Sequence, residues 1–111
     1  MGQTGINYLM VVHGEQSVTF HRPMPTEASI TADSHIVGAY DKGPGKGAVI
    51  YTETVLKDAK THEAIATLLG STFARGDGGF GGPSDGAPVP HEVPTRAPDQ
   101  SVDITTKPDQ A

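Results

Sequence analysis

Between Glu15 and His21, Val18 and Phe20 alternate with Ser17 and Thr19. That period of two is the signature of a strand with one face in water. Pro23 and Pro25 end the run, because proline donates no ladder hydrogen bond. Farther on, Ala28, Ile30, Ala32, Ile36 and Tyr40 share one parity, while Ser29, Thr31, Asp33 and His35 take the other. The pattern predicts one long strand with a wet face. Asp41-Lys-Gly-Pro-Gly-Lys-Gly47 is dense turn sequence. Ala48 to Leu56 is β-branched and apolar, a third strand, and Lys57–His62 is a polar turn. Glu63–Ala74 has a composition open to helix, but Gly70 with Thr67, Ser71, Thr72 and Phe73 favours a fourth strand. Ile6–Val12, apolar but interrupted by Asn7, fits a short helix or a strand. Four strands joined by short turns predict an antiparallel meander.

A sheet of this kind buries its apolar face against a helix or another sheet. No amphipathic helix long enough to do so is visible in the 111 residues. The pattern therefore predicts a chain that associates with a partner or takes its covering element from outside this sequence. The strand pattern stops at Ser71-Thr-Phe-Ala-Arg75-Gly-Asp-Gly-Gly-Phe80-Gly-Gly82. Glycines at that density permit positive φ and close approach of backbones. An aromatic residue among them is foreign to a flexible polar linker. The expectation is a shaped loop, with Arg75, Gly76, Gly78, Gly79, Gly81 and Gly82 forming it and the Phe80 ring buried as its anchor. Beyond it, Pro83, Pro88, Pro90, Pro94, Pro98 and Pro108 predict an extended, polyproline-like connection. Residues 1–75 are thus expected to be the folded part and 76–111 a linker.

Composition narrows the function classes. Asp and Glu number 13 against 8 Lys and Arg, a net charge of −5 that leaves no electrostatic footprint for nucleic acid. The absence of cysteine excludes disulfides, thiol chemistry and cysteine-based zinc sites. No apolar run approaches the ~18 residues of a membrane span, and the N-terminus has neither the basic nor the apolar region of a signal peptide. A soluble, intracellular protein is the default expectation.

Several motifs invite specific chemistry. Gly76-Asp-Gly-Gly-Phe-Gly81 fits G-x-G-x-x-G, yet a dinucleotide fingerprint opens a helix directly, and Gly82-Pro83 cannot. Arg75-Gly76-Asp77 spells an adhesion tripeptide in a chain with no secretory features. Gly45-Lys46 lacks the Ser or Thr of a phosphate loop; Lys42 or Lys46 could still meet a phosphate as a point charge. His13-Gly14-Glu15-Gln16 places a titratable pair beside a glycine, better suited to ligand contact than to catalysis without a positioned partner. Asp33 and His35 read as a solvated pair on the wet face. His21, His62 and His91 have no metal-ligand spacing, and no metal is expected.

Taken in order, Val11-Val-His-Gly-Glu-Gln16, His21-Arg-Pro-Met-Pro25, Tyr40-Asp-Lys-Gly43 and Phe73-Ala-Arg-Gly-Asp-Gly-Gly-Phe-Gly-Gly82 resemble the N-terminal half of the MaoC-like (R)-specific enoyl-CoA hydratases, or hydratase 2. The hydratase unit of peroxisomal multifunctional enzyme type 2 belongs to that family. The resemblance runs from about Ile6 to the end of the chain. It implies an α+β hot-dog fold, present here in part: a curved antiparallel sheet whose central helix is largely missing, followed by a Gly/Pro-rich crossover linker. It implies reversible addition of water to a trans-2-enoyl-CoA without a cofactor, and a hot-dog partner domain or chain in a homo-oligomer. An Asp and a His of the second half perform the chemistry, and their motif would follow Ala111. By resemblance, His13, Gly14 and Lys42 would contact the acyl-CoA thioester, Lys42 through charge on its CoA part, and no catalytic residue lies in this chain. The alternative is a non-catalytic acyl-CoA-binding or structural subunit that pairs with a catalytic chain. The resemblance implies a cytoplasmic location if the source is bacterial and a peroxisomal one if it is eukaryotic.

Overall fold

A computed structural model describes residues 5–110. Four strands form one antiparallel sheet: β1 (Val11–Phe20), β2 (Ile30–Asp41), β3 (Ala48–Asp58) and β4 (Ala64–Ala74). The segment Ile6–Val12, open on sequence, divides: Tyr8–Met10 is a single 3-10 turn and β1 begins directly after it. The curved sheet, with no full-length central helix among the described residues, is a partial hot-dog. No helix of the described residues is long and apolar enough to cross a membrane.

The strand order is β1-β4-β3-β2, which corrects the expected meander. Only β2, β3 and β4 follow one another as neighbours. β1 pairs with β4, in a register that runs from Val11 opposite Ala74 to Phe20 opposite Ala66. Alternation marks a segment as a strand but carries no information about which strand will be its neighbour. The connection from Phe20 to Ile30 crosses the end of the sheet. There the Arg22 guanidinium reaches Glu63 at 2.9 Å and Asp58 at 3.7 Å, fastening the crossing to the β3–β4 hairpin.

Two bulges re-aim side chains. In β1 the register shifts between His13 and Glu15, so Gly14 is the extra residue. In β2 it shifts between Ile36 and Gly38, with Val37 extra. A bulge inserts one residue and exchanges the faces beyond it. Tyr40 therefore leaves the face of Ile30, Ala32 and Ile36, contrary to the single parity expected for β2. It joins Val49 and Tyr51, where its ring meets that of Tyr51 edge-on at 5.8 Å.

The two faces differ in how they are covered. On one, Tyr51 and Ile65 are buried, and the wet end carries Asp33 paired with Lys57 at 3.0 Å and His35 facing Glu53. On the other, Ala48, Ile50 and Ala66 are buried, but Val18, Phe20, Ile30 and Ile36 stand between 41 and 61 % exposed. An apolar surface of that extent is what an element outside the described chain would bury.

Among the described residues no regular element forms after Ala74. The chain nevertheless folds back at first. Gly76–Gly82 packs against the β2–β3 loop and Pro83–Pro90 lies along the Tyr51 face. Farther on, Val93, Val102 and Ile104 are at least 80 % exposed.

Candidate functional site

The groove on the Tyr51 face has two walls. One is the sheet, with Gly14 and Glu15 from β1, Val49 and Tyr51 from β3, and Ser71 and Phe73 from β4. The other is the linker from Ser84 to Pro90, and Lys42 stands at its end. The open groove has a volume of about 490 Å³, within the ~300–1,000 Å³ of small-molecule sites. Two of the residues singled out by sequence, Gly14 and Lys42, meet here.

Gly14 is there because of its bulge. A Cβ on it would stand 2.5 Å from the Ser71 Oγ and 3.1 Å from the Ser71 carbonyl oxygen, so only glycine lets the two strands close. The next backbone N–H, that of Glu15, donates to Ser71 Oγ at 2.9 Å. This hydrogen bond replaces the ladder contact that the bulge removes. Burial pushes the phenol of Tyr51 above its usual range, and the nearby Glu15 carboxylate adds to the shift. Tyr51 is consequently a neutral hydrogen-bonding group at the groove floor. Lys42 is exposed and, among the described residues, makes no ion pair. Its charge is available to a ligand.

His13 does not share this groove. The bulge turns it to the other face, where with Gln16, Thr52, Thr54 and Leu68 it lines a separate hollow of about 210 Å³. The expected trio of His13, Gly14 and Lys42 is therefore split across the sheet. Because β1 is an edge strand, the two faces meet at its free side.

The glycine-rich loop is shaped, and within the described chain a carboxylate holds it. The Phe80 ring is 54 % exposed. It rests beside a hollow of about 340 Å³ lined by Ile36, Ala39, Ala48 and Ile50 on the opposite face from Lys42. The anchor is Asp41, 7 % exposed, which sequence reasoning treated only as a turn residue. Its Oδ1 accepts the N–H of Gly79 at 2.7 Å and of Gly43 at 2.9 Å, and its Oδ2 accepts the N–H of Gly81 at 2.8 Å. Those donors, Gly79 foremost, hold the carboxyl below its ordinary range, because they stabilise only the charged form. Gly43, Gly45 and Gly47 all have positive φ, which lets the β2–β3 loop fold tightly enough to present its amides. Arg75 donates its backbone N–H to the Met10 carbonyl at 3.1 Å, tying the loop's start to the 3-10 turn. Among the described residues no cluster of His, Asp or Glu could hold a metal ion.

Residues 1–76 match the family model described as the MFE-2 hydratase 2 N-terminal domain. The chain belongs to that family. A 3-hydroxyacyl-thioester dehydratase Y of Mycobacterium tuberculosis is 32 % identical over 105 residues, covering 95 % of this chain and 36 % of the relative. Enoyl-CoA hydratase ChsH3 of the same organism is 37 % identical over 103 residues, covering 91 % of this chain and 34 % of the relative. Among solved structures, a MaoC-like dehydratase from Phytophthora capsici superposes with a TM-score of 0.69 at 34 % identity, over 84 % of this chain and 32 % of that one. The chain thus spans about a third of the length of the proteins it resembles. The four motifs that carried the resemblance lie on β1, on the crossing after it, at the β2–β3 loop and at the end of β4.

Proposed function

We propose that this chain is the acyl-CoA-binding portion of an (R)-specific 2-enoyl-CoA hydratase, and that it contributes binding rather than proton transfer. The observation that carries the proposal is the groove in which Gly14 and Lys42, unpaired among the described residues, face one space. The family membership supports the reaction class. In that reaction water adds its oxygen to C3 of a trans-2-enoyl thioester, and a proton is delivered to C2, giving the (R)-3-hydroxyacyl-CoA. Lys42 would meet a phosphate of the CoA as a point charge. The strand backbone at Gly14 would line the path of the pantetheine arm. His13 would touch the same ligand only if the arm passed around the free edge of β1. The acid and base would come from the rest of the enzyme, on a hot-dog partner domain or chain, with homo-oligomers the expected assembly.

Calorimetry with butyryl-CoA, a saturated thioester that cannot turn over, tests the binding role. Lys42→Ala should weaken binding about fivefold or more, the worth of roughly 1 kcal/mol in a charge-assisted contact. Unchanged affinity would reduce Lys42 to a turn residue. Incubation of the 111-residue chain with crotonyl-CoA tests the division of labour. Robust loss of the enoyl absorbance would mean that the chain carries its own acid and base. A structural subunit without ligand is the second reading, and the exposed apolar face of Val18, Phe20 and Ile36 favours it. Absence of butyryl-CoA binding even with a catalytic partner present would decide for it.

A further inference from the structure

The linker wall and the Lys42 end of the groove are both held at Asp41. Its carboxylate holds the β2–β3 loop through the Gly43 N–H and the linker through the N–H groups of Gly79 and Gly81. Its own backbone N–H donates to the Pro83 carbonyl at 2.8 Å. Lys42 is the next residue on one side, with its N–H donating to the Gly47 carbonyl at 3.0 Å. On the other side the chain continues from Pro83 into the Ser84–Pro90 wall, where the Tyr40 hydroxyl donates to the Gly86 carbonyl at 3.2 Å. The β2–β3 loop and the linker thus meet at one carboxylate.

We propose that Asp41 is a positioning residue that fixes the distance between Lys42 and the linker wall, and through it the affinity of the groove for acyl-CoA. The proposal rests on the acyl-CoA reading of the groove and adds how the site is held open. The carboxylate suits the task because it is acceptor-only: three amides from two loops can converge on its two oxygens, whereas a carboxamide must turn an NH₂ toward one of them. Its charge is also taken up by amides, so it does not neutralise the neighbouring lysine. No proton leaves or enters Asp41 in this role.

The test is a double-mutant cycle on the protein, read as the dissociation constant for butyryl-CoA. Asp41→Asn should weaken binding about tenfold, Lys42→Ala about fivefold, and the pair together by clearly less than the product, because Asp41 acts by placing Lys42. Effects that multiply would overturn the proposal, as would wild-type affinity in a folded Asp41→Asn protein. Should Asp41→Asn fail to fold, Tyr40→Phe carries the question. It deletes one hydroxyl, frees Gly86 and should weaken binding two- to tenfold; a folded Tyr40→Phe protein with wild-type affinity would overturn the role of the linker wall. No binding by the wild-type protein would instead remove the acyl-CoA reading itself, and this proposal with it. Wild-type binding with unaffected variants would remove this proposal alone.

Discussion

Gly78 is the position where an added methyl group should do the most damage at the least change in chemistry. An alanine Cβ there would overlap the Gly43 carbonyl oxygen and stand 2.7 Å from both the N and the O of Gly47. All of these are backbone atoms, with no flexible side-chain end to move aside. Reaching an ordinary contact of 3.4 Å requires the two loops to part by about 0.7 Å or more. That displacement would stretch the 2.7 Å bond from Gly79 to Asp41 to about 3.4 Å, past the useful ~2.7–3.2 Å range. Overpacking of this kind costs about 1–3 kcal/mol, and in a domain this small each kcal/mol lowers Tm by roughly 4–8 °C. Gly45→Ala is the control. Gly45 has φ +73° but nothing within 4 Å of an added methyl, so it bears only backbone strain, about 1–2 kcal/mol. Thermal melts of the two variants, with amide exchange at Gly79 and Gly81, provide the assay. Gly78→Ala should expose both amides and Gly45→Ala should leave them protected. A Gly78→Ala protein with protected amides and wild-type Tm would refute the close packing of the two loops.

The folded-state pKa of Asp41 lies below its unfolded value of 3.8, so its contribution to stability is complete above that value and is lost as pH falls through the folded-state pKa. The Gly79 and Gly81 amide shifts in an NMR titration should move with a midpoint below 3.8; a midpoint at or above 3.8 would show that the amides do not bond the charged carboxylate. Ser71→Ala should cost about 1–3 kcal/mol, because it leaves the partly buried Glu15 N–H without its acceptor. The loss should appear as faster exchange at Glu15 and a lower urea midpoint, and an unchanged midpoint would mean that the bulge is held by other contacts.

The strands themselves were legible, since alternation through Ser17–Phe20 and Ala28–His35 and the β-branched run from Ala48 follow from burial of one face. So was the β2–β3 turn, where four residues of Asp41–Gly47 are glycine or proline. What could not be read was long-range. β1 chooses β4 as its neighbour on packing terms that no local pattern expresses. The Val37 bulge sends Tyr40 to the opposite face, although the Gly38 beside it was a legible hint that a strand interior is irregular. Asp41 escaped notice because two of its three donors lie 38 and 40 residues downstream. A signal existed: two glycine clusters offer amides that need an acceptor, and an aspartate opens the first of them. Phe80 stands half in solvent in the described chain, where the carboxylate secures the loop and the apolar face beside the ring is uncovered.

The strand order has a consequence for how such a chain is made. β1 leaves the ribosome first, and its hydrogen-bonding partner β4, ending at Ala74, leaves last among the strands. At ~5–20 residues per second, roughly 50 residues of synthesis separate them, a wait of about 3–10 s. During that time β2, β3 and then β4 can zip together through neighbouring turns, while Val12, Val18 and Phe20 remain without a sheet to join. The nascent chain thus carries a strand with one apolar face and two open edges until β4 emerges. Capture of that strand by another nascent copy competes with closure until β4 arrives.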